Sequence, residues 1–221
     1  MRLIFILPLL ITISASGQTI FSGALFPEMA MSYSKNEWMV AMKFQSENRL
    51  FDRHLSERWK LNTEQTDFQS FLGYKLSPRV SISLGHQFRF ASDKNNSHRS
   101  IEQISFVQDG LRIRVGHRIR FDQTYLTNTT LFRYRYRLSL EIPLNGYSLD
   151  PTEFYVLFQD EQILSFEANK RDLENRIHGA IGYVFVNSFK LQTGIDYRTD
   201  RYFTEGFRHR LWWKSGLFIK L

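Results

Sequence analysis

Arg112, Arg114, Arg118 and Arg120 share one parity within residues 111–121, and Arg133, Arg135 and Arg137 share one within residues 131–142. A guanidinium stays charged at any physiological pH. It offers a rigid fork of donors that grips carboxylates and phosphates bidentately. Acids fall in step with these arginines: Asp122 and Glu141 on the same two segments, then Glu153 and Glu161 further along. Glu174, Arg176 and His178 continue the series, followed by Asp196 and Arg198, then Arg208, Arg210 and Lys214. The chemistry available to such a set is ion pairing within itself or capture of an anion.

The residues between the arginines are Ile113, Val115, Ile119, Phe121, Tyr134, Tyr136 and Leu138. Only a β-strand sends alternate residues to opposite faces. One face of each strand is therefore greasy and aromatic, and the other carries stacked charge. The pattern recurs. Trp38, Val40, Met42 and Phe44 alternate with Lys43, Gln45 and Glu47, and Val80, Ile82, Leu84, Phe88 and Phe90 alternate with Ser81, Ser83, Gly85, Gln87 and Arg89.

The first seventeen residues read differently. Arg2 supplies a basic start, residues 3–13 are apolar apart from Pro8 and Thr12, and Ala15-Ser16-Gly17 offers a small-residue cleavage site. This is the pattern of a secretory signal peptide, leaving residues 18–221 as a single domain. After it no apolar run approaches 18 residues, which excludes a helical membrane protein. There is no cysteine, so the exported chain is held by its sheet, its core or a bilayer.

Placed on a lipid-facing surface, each charge costs about 2–4 kcal/mol at the midplane. A ladder of arginines is therefore expected to face inward. The fold expected is an all-β, antiparallel transmembrane β-barrel in the outer membrane of a diderm bacterium, with short periplasmic turns and longer outer loops. About eleven strand segments can be read, but bacterial single-chain barrels carry an even number. Twelve strands are therefore expected, with ten as the alternative. The doubtful stretch is residues 18–33, where Pro27 interrupts an apolar run. Residues 166–173 read as a polar loop.

The short pieces along residues 100–200 resemble the outer-membrane barrel family known as domain of unknown function 2490, of Bacteroidetes type. They are Gly116-His117-Arg118-Ile119-Arg120-Phe121-Asp122, the Arg133–Leu138 strand with Pro143 after it, Asp160-Glu161, Asn175-Arg176 with Gly182-Tyr183, and Gly194-Ile195-Asp196-Tyr197. The resemblance implies an outer-membrane barrel and implies no activity.

The candidate lumen or anion-binding residues are Arg112, Arg114, Arg118, Arg120, Arg133, Arg135, Arg137, Arg176, Arg198, Arg208 and Arg210, with Asp122, Glu141, Glu153, Glu161, Glu174 and Asp196 as paired acids. Interleaved side chains of this kind either fill a narrow lumen or leave a conduit or pocket for an anionic solute. The formal charge of +7 is not read as nucleic-acid binding, because the arginines lie at strand period and no nucleic-acid motif is present.

Two other classes stay open: a soluble exported β-sandwich binding protein and an outer-membrane lipid-modifying enzyme. No Gly-x-Ser-x-Gly turn and no metal-ligand spacing appears, so no catalytic residue, metal or cofactor is assigned. His86, His117 and His209 fall on the apolar face and read as interfacial belt residues, His178 as a hydrogen-bonded filler, and His54 and His98 as loop residues. Trp38, Trp59, Trp212 and Trp213 are expected in aromatic girdles. The expected partner is outer-membrane lipid, and the expected state a monomer.

Overall fold

Period-two alternation over most of the chain becomes eleven strands in the computed structural model. It describes residues 20–52, 61–93, 95–203 and 206–221, with the side chains of Ile20 and Asp52 left out. The signal peptide expected over residues 1–17, His54 and Trp59 lie outside the described residues.

The strands are β1 (Ile20–Lys35), β2 (Trp38–Asp52), β3 (Asn62–Ser77), β4 (Val80–Ala91), β5 (Ser97–Asp109) and β6 (Arg114–Tyr125). They continue as β7 (Thr130–Pro143), β8 (Glu153–Glu167), β9 (Lys170–Val186), β10 (Phe189–Asp200) and β11 (Arg208–Lys220). Each pairs antiparallel with its sequence neighbours, and β1 meets β11 to close the barrel. The closing pair is parallel, running from Ile20 opposite Arg208 to Ser32 opposite Lys220.

Among the described residues the number is thus eleven, between the twelve expected and the alternative of ten. The even-number expectation assumes antiparallel closure, and this wall closes through a parallel pair. Pro27 does not divide β1. The ladder between β1 and β2 passes over Phe26 and Pro27, from Leu25 opposite Asn48 to Glu28 opposite Gln45. A proline has no amide hydrogen to contribute to a ladder, so it sits where the pairing skips.

Two strand ends differ from expectation as well. Residues 166–173 are not a loop: β8 and β9 extend to a two-residue turn in which Ala168 is left-handed, with φ of 50°. His98 lies on β5, not in a loop. Near the rim both segments place polar residues on the outer face as well, Arg171 in one and His98 and Ser100 in the other, so the alternation fades there. Turns at the Asn36 end are short at residues 36–37, 78–79 and 187–188, but residues 144–152 form a longer one there.

The outer surface is apolar. Met42, Phe68, Leu72, Leu84, Ile119, Ile181 and Trp213 are all exposed. A wall of this kind suits contact with hydrocarbon and not with water. The interior has two small apolar clusters. Tyr155, Leu157, Ala180 and Val184 pack together on β8 and β9, with Leu149 of the 144–152 turn against them. Ala24, Phe26 and Trp212 line the seam. Gly182 lets the first cluster form, because a Cβ there would lie 2.2 Å from the fully buried Tyr155 ring.

Candidate functional site

The inward faces form one row across the barrel. In register, Arg118 lies opposite Arg137, Arg137 opposite Glu161, Glu161 opposite Arg176, Arg176 opposite Arg198, and Arg198 opposite Arg210. Like charges directly opposite one another repel. The row holds because acids from it and from the adjoining rows reach into it.

Glu161 is the hub. Its Oε1 accepts from Arg118 Nη2 at 2.8 Å and from Arg137 Nε at 3.1 Å, and its Oε2 accepts from Arg135 Nη2 at 2.7 Å. Arg176 Nη1 lies 3.8 Å from the same Oε2. Arg135 also donates to Asp122 at 3.0 Å. Arg176 donates through Nε to Glu174 at 2.8 Å, Arg210 bridges Glu174 and Asp200 at 2.8 and 2.7 Å, and Arg208 adds a 2.6 Å bond to Asp200. An unbroken chain of alternating charge thus runs from Asp122 to Arg208. Charge-assisted bonds of this kind are the strong ones.

Other pairs stand around this chain. Asp67 receives Arg89 at two points, 2.7 and 2.6 Å. Glu28 receives Lys43 at 2.8 Å and Lys214 at 3.2 Å. Arg198 donates to Asp196 at 2.6 Å and lies 3.3 Å from the centre of the Trp212 ring, which stacks on Phe26.

Two of the expected site arginines that face the lumen have no carboxylate within ion-pair distance among the described residues. Arg120 donates only to the neutral amide of Gln103 and sits over the Phe71 ring. Arg133 faces the lumen opposite Asp122, but that carboxylate is taken by Arg135 and approached by Arg99. The cavity above the hub measures about 630 Å³. Fourteen basic and nine acidic side chains line it. Glu28 and Asp122, tucked against those basic groups, bring the acids to eleven and still leave a cationic excess. A second cavity of about 320 Å³ lies toward the Asn36 end. Lys43, Arg118, Arg137, His178 and Lys214 line both.

The remaining expected residues fall at the Asn36 end. Arg114 is half exposed and pairs loosely with Asp109 at 3.4 Å and Glu141 at 3.9 Å. Glu153 keeps a buried Oε2 without a partner. Arg112 is a correction. It sits in the turn before β6 with a φ of 67° and lies over the Tyr147 ring, outside the lumen. The turn breaks the parity that suggested otherwise. Trp212 is a second correction, since it points inward at 2% exposure while Trp213 faces out. Adjacent residues of a strand cannot share a face. His178 is buried in the lumen with neither ring nitrogen bonded, against the expected hydrogen-bonded filler.

The candidates did not include Glu28, Lys43, Asp67, Arg89, Arg99 or Asp200. Lys43 was legible on the polar face of its strand, but Glu28 stands alone between Pro27 and Met29. The outer wall holds a further surprise, because not every charge faces inward. Glu102 lies between Leu84 and Phe121 on the outer face, and Asp160 shares the outer face of β8 with Phe158 and Leu164.

Against this geometry, residues 25–206 match the sequence profile of the family described as Protein of unknown function (DUF2490). The chain belongs to the DUF2490 family. No curated protein matches this family member at a significant level. Among solved structures the DUF2490 barrel is similar to LpxR from Salmonella typhimurium, with a TM-score of 0.51 and 10% identity. The alignment covers 81% of this chain and 83% of that one. At that identity the likeness concerns the fold alone, a closed β-barrel.

Proposed function

We propose that this barrel sits in the outer membrane as a monomer and binds a small anionic solute in its arginine-lined interior, with the Asn36 end in the periplasm. Arg133 carries the reading, a lumen arginine with no carboxylate within ion-pair distance among the described residues, near an Arg120 hydrogen-bonded there only to an amide. A purely structural filling would pair its charges, because an unpaired cation in a confined interior is costly. The Glu161 crossbar stands between the two cavities, which favours a binding chamber over an open pore.

The test is calorimetric titration of the detergent-solubilised barrel with inorganic phosphate and with pyrophosphate, at low and high salt. Saturable binding that weakens with salt and is lost in Arg133→Gln is the expected result. Absence of binding, with bilayer recordings silent over a wide voltage range, would leave the lumen as filling alone.

A further inference from the structure

Asp160 stands midway along β8 on the outer face, where Leu138 and Ile177 flank it in register. Its Oδ1 accepts from Asn175 Nδ2 at 2.8 Å and from Gln162 Nε2 at 3.4 Å. Oδ2 takes no side-chain partner among the described residues. Gln162 lies directly opposite Tyr136, whose hydroxyl is 2.8 Å from His117 Nδ1. Asn175 lies opposite Thr199, which contacts His209 at 3.3 Å, and His209 lies 2.7 Å from the Tyr197 hydroxyl. All these side chains share the lipid-facing parity of their strands. They make one polar trail across β6 to β11 on a wall that is largely apolar, apart from Glu102 and scattered hydroxyl and imidazole groups.

An interfacial belt explains the histidines and tyrosines but not Asp160. Thr199 and His209 each stand one residue from the end of their strands, at the rim. Asp160 stands seven residues inside either end of β8. An ionisable side chain at such depth marks a site. Asp160 is only 8% exposed, covered by its neighbours on the outer face. The bonding capacity that its contacts leave unused is of both kinds: Asp160 Oδ2 accepts, the second amide hydrogens of Asn175 and Gln162 donate, and His117 Nε2 does either according to its tautomer. That mixture matches the junction of an acyl lipid, where ester or amide carbonyls accept and hydroxyl or amide groups donate.

The rim above supplies a cation. Arg171 lies on the outer parity of β9, four residues nearer the rim than Asn175, about 13 Å along the strand. It faces Phe203 at 5.3 Å, and Phe207 of the same loop contacts His209. Phe203 and Phe207 therefore lie against outward-facing side chains at the head of the trail.

We propose that this trail is a docking site for a phosphate-bearing acyl lipid of the leaflet at the Ala168 end. Arg171 takes the phosphate, and the Asp160, Asn175, Gln162, Tyr136 and His117 cluster takes the linkage from which the chains descend. The inference rests on the outward face of the wall and is independent of the lumen reading.

The experiment is native mass spectrometry of the full mature barrel after detergent exchange, with added phosphatidylethanolamine, phosphatidylglycerol or lipopolysaccharide. The wild type is expected to retain one lipid, and the lipid retained identifies the source as glycerophospholipid or lipopolysaccharide. Asp160→Leu and Arg171→Glu are each expected to lower retention about tenfold, the loss of one charge-assisted contact. Arg171 is exposed, so its variant reads out even if Asp160→Leu does not fold. Equal retention by wild type and Arg171→Glu, or no retention of any of the three lipids, overturns the proposal. Lumen anion titrations in the same variants should be unchanged.

Discussion

Arg135 donates to Glu161 at 2.7 Å across the β7/β8 pair, and its other nitrogen reaches Asp122 at 3.0 Å. One guanidinium thus ties together carboxylates on two strands that are not neighbours. Glu161 in turn is fully surrounded by arginines, at 2% exposure. Replacing Glu161 by Gln leaves several cations facing one another without their shared acid. Removing one member of a buried ionic set costs about 3–5 kcal/mol. Urea unfolding in detergent, followed by the heat-modifiable mobility shift of the barrel, should show a loss of that order. High salt should recover part of it.

The seam offers a test free of background, because the chain has no cysteine. Met29 and Leu217 are direct partners across the parallel β1/β11 pair. Neighbouring strands lie about 4.8 Å apart, within reach of a disulfide. Met29→Cys with Leu217→Cys should cross-link on oxidation, whereas Met29→Cys with Leu211→Cys should not. The reverse outcome would mean antiparallel closure and a different strand number.

Glu102 faces outward between Leu84 and Phe121 and has no ion pair or hydrogen bond among the described residues. Glu102→Leu should therefore stabilise the barrel in a bilayer, by about 1–2 kcal/mol given that acids cost less than arginine on a lipid face. Equilibrium unfolding from liposomes measures it. A loss of stability would reveal a partner for this carboxylate.

Gly182 approaches the Tyr155 ring so closely that any side chain collides with it. Tyr155 is held from the other side by Gln192, which donates to its hydroxyl at 2.6 Å. Gly182→Val should cost about 1–3 kcal/mol or more through overpacking. Tyr155→Ala should recover folding in the double variant, since it removes the obstructing ring.

The wall was legible because alternation is local. Arg118, Arg120, Arg133, Arg135 and Arg137 needed only their own neighbours to declare a face, and each lies in the lumen. What parity could not give is whatever depends on a turn or on partners far along the chain. Arg112 lost its phase in a left-handed turn. Trp212 looked like a girdle residue until Phe26, from the far end of the chain, was placed against it. The direction of closure depends on the count itself, and the even-number rule displaced a segment count that was already eleven. Asp160 sits beside Glu161, so the alternation that sends Glu161 to the hub sends Asp160 to the outer face, but its partner Asn175 comes from the next strand.

Every strand but one pair is joined to its neighbour by a hairpin, so most of the wall can grow in order along the chain. The β1/β11 pair is the exception, since Ile20 must find Arg208. Until the last hairpin exists, the growing sheet has two unsatisfied margins that complement each other and nothing else in the chain. Closure is then a single late event with the greatest loop-entropy penalty of any contact in the molecule. Mutations confined to that margin should lengthen the lifetime of an uncurled precursor while leaving the hairpins themselves intact.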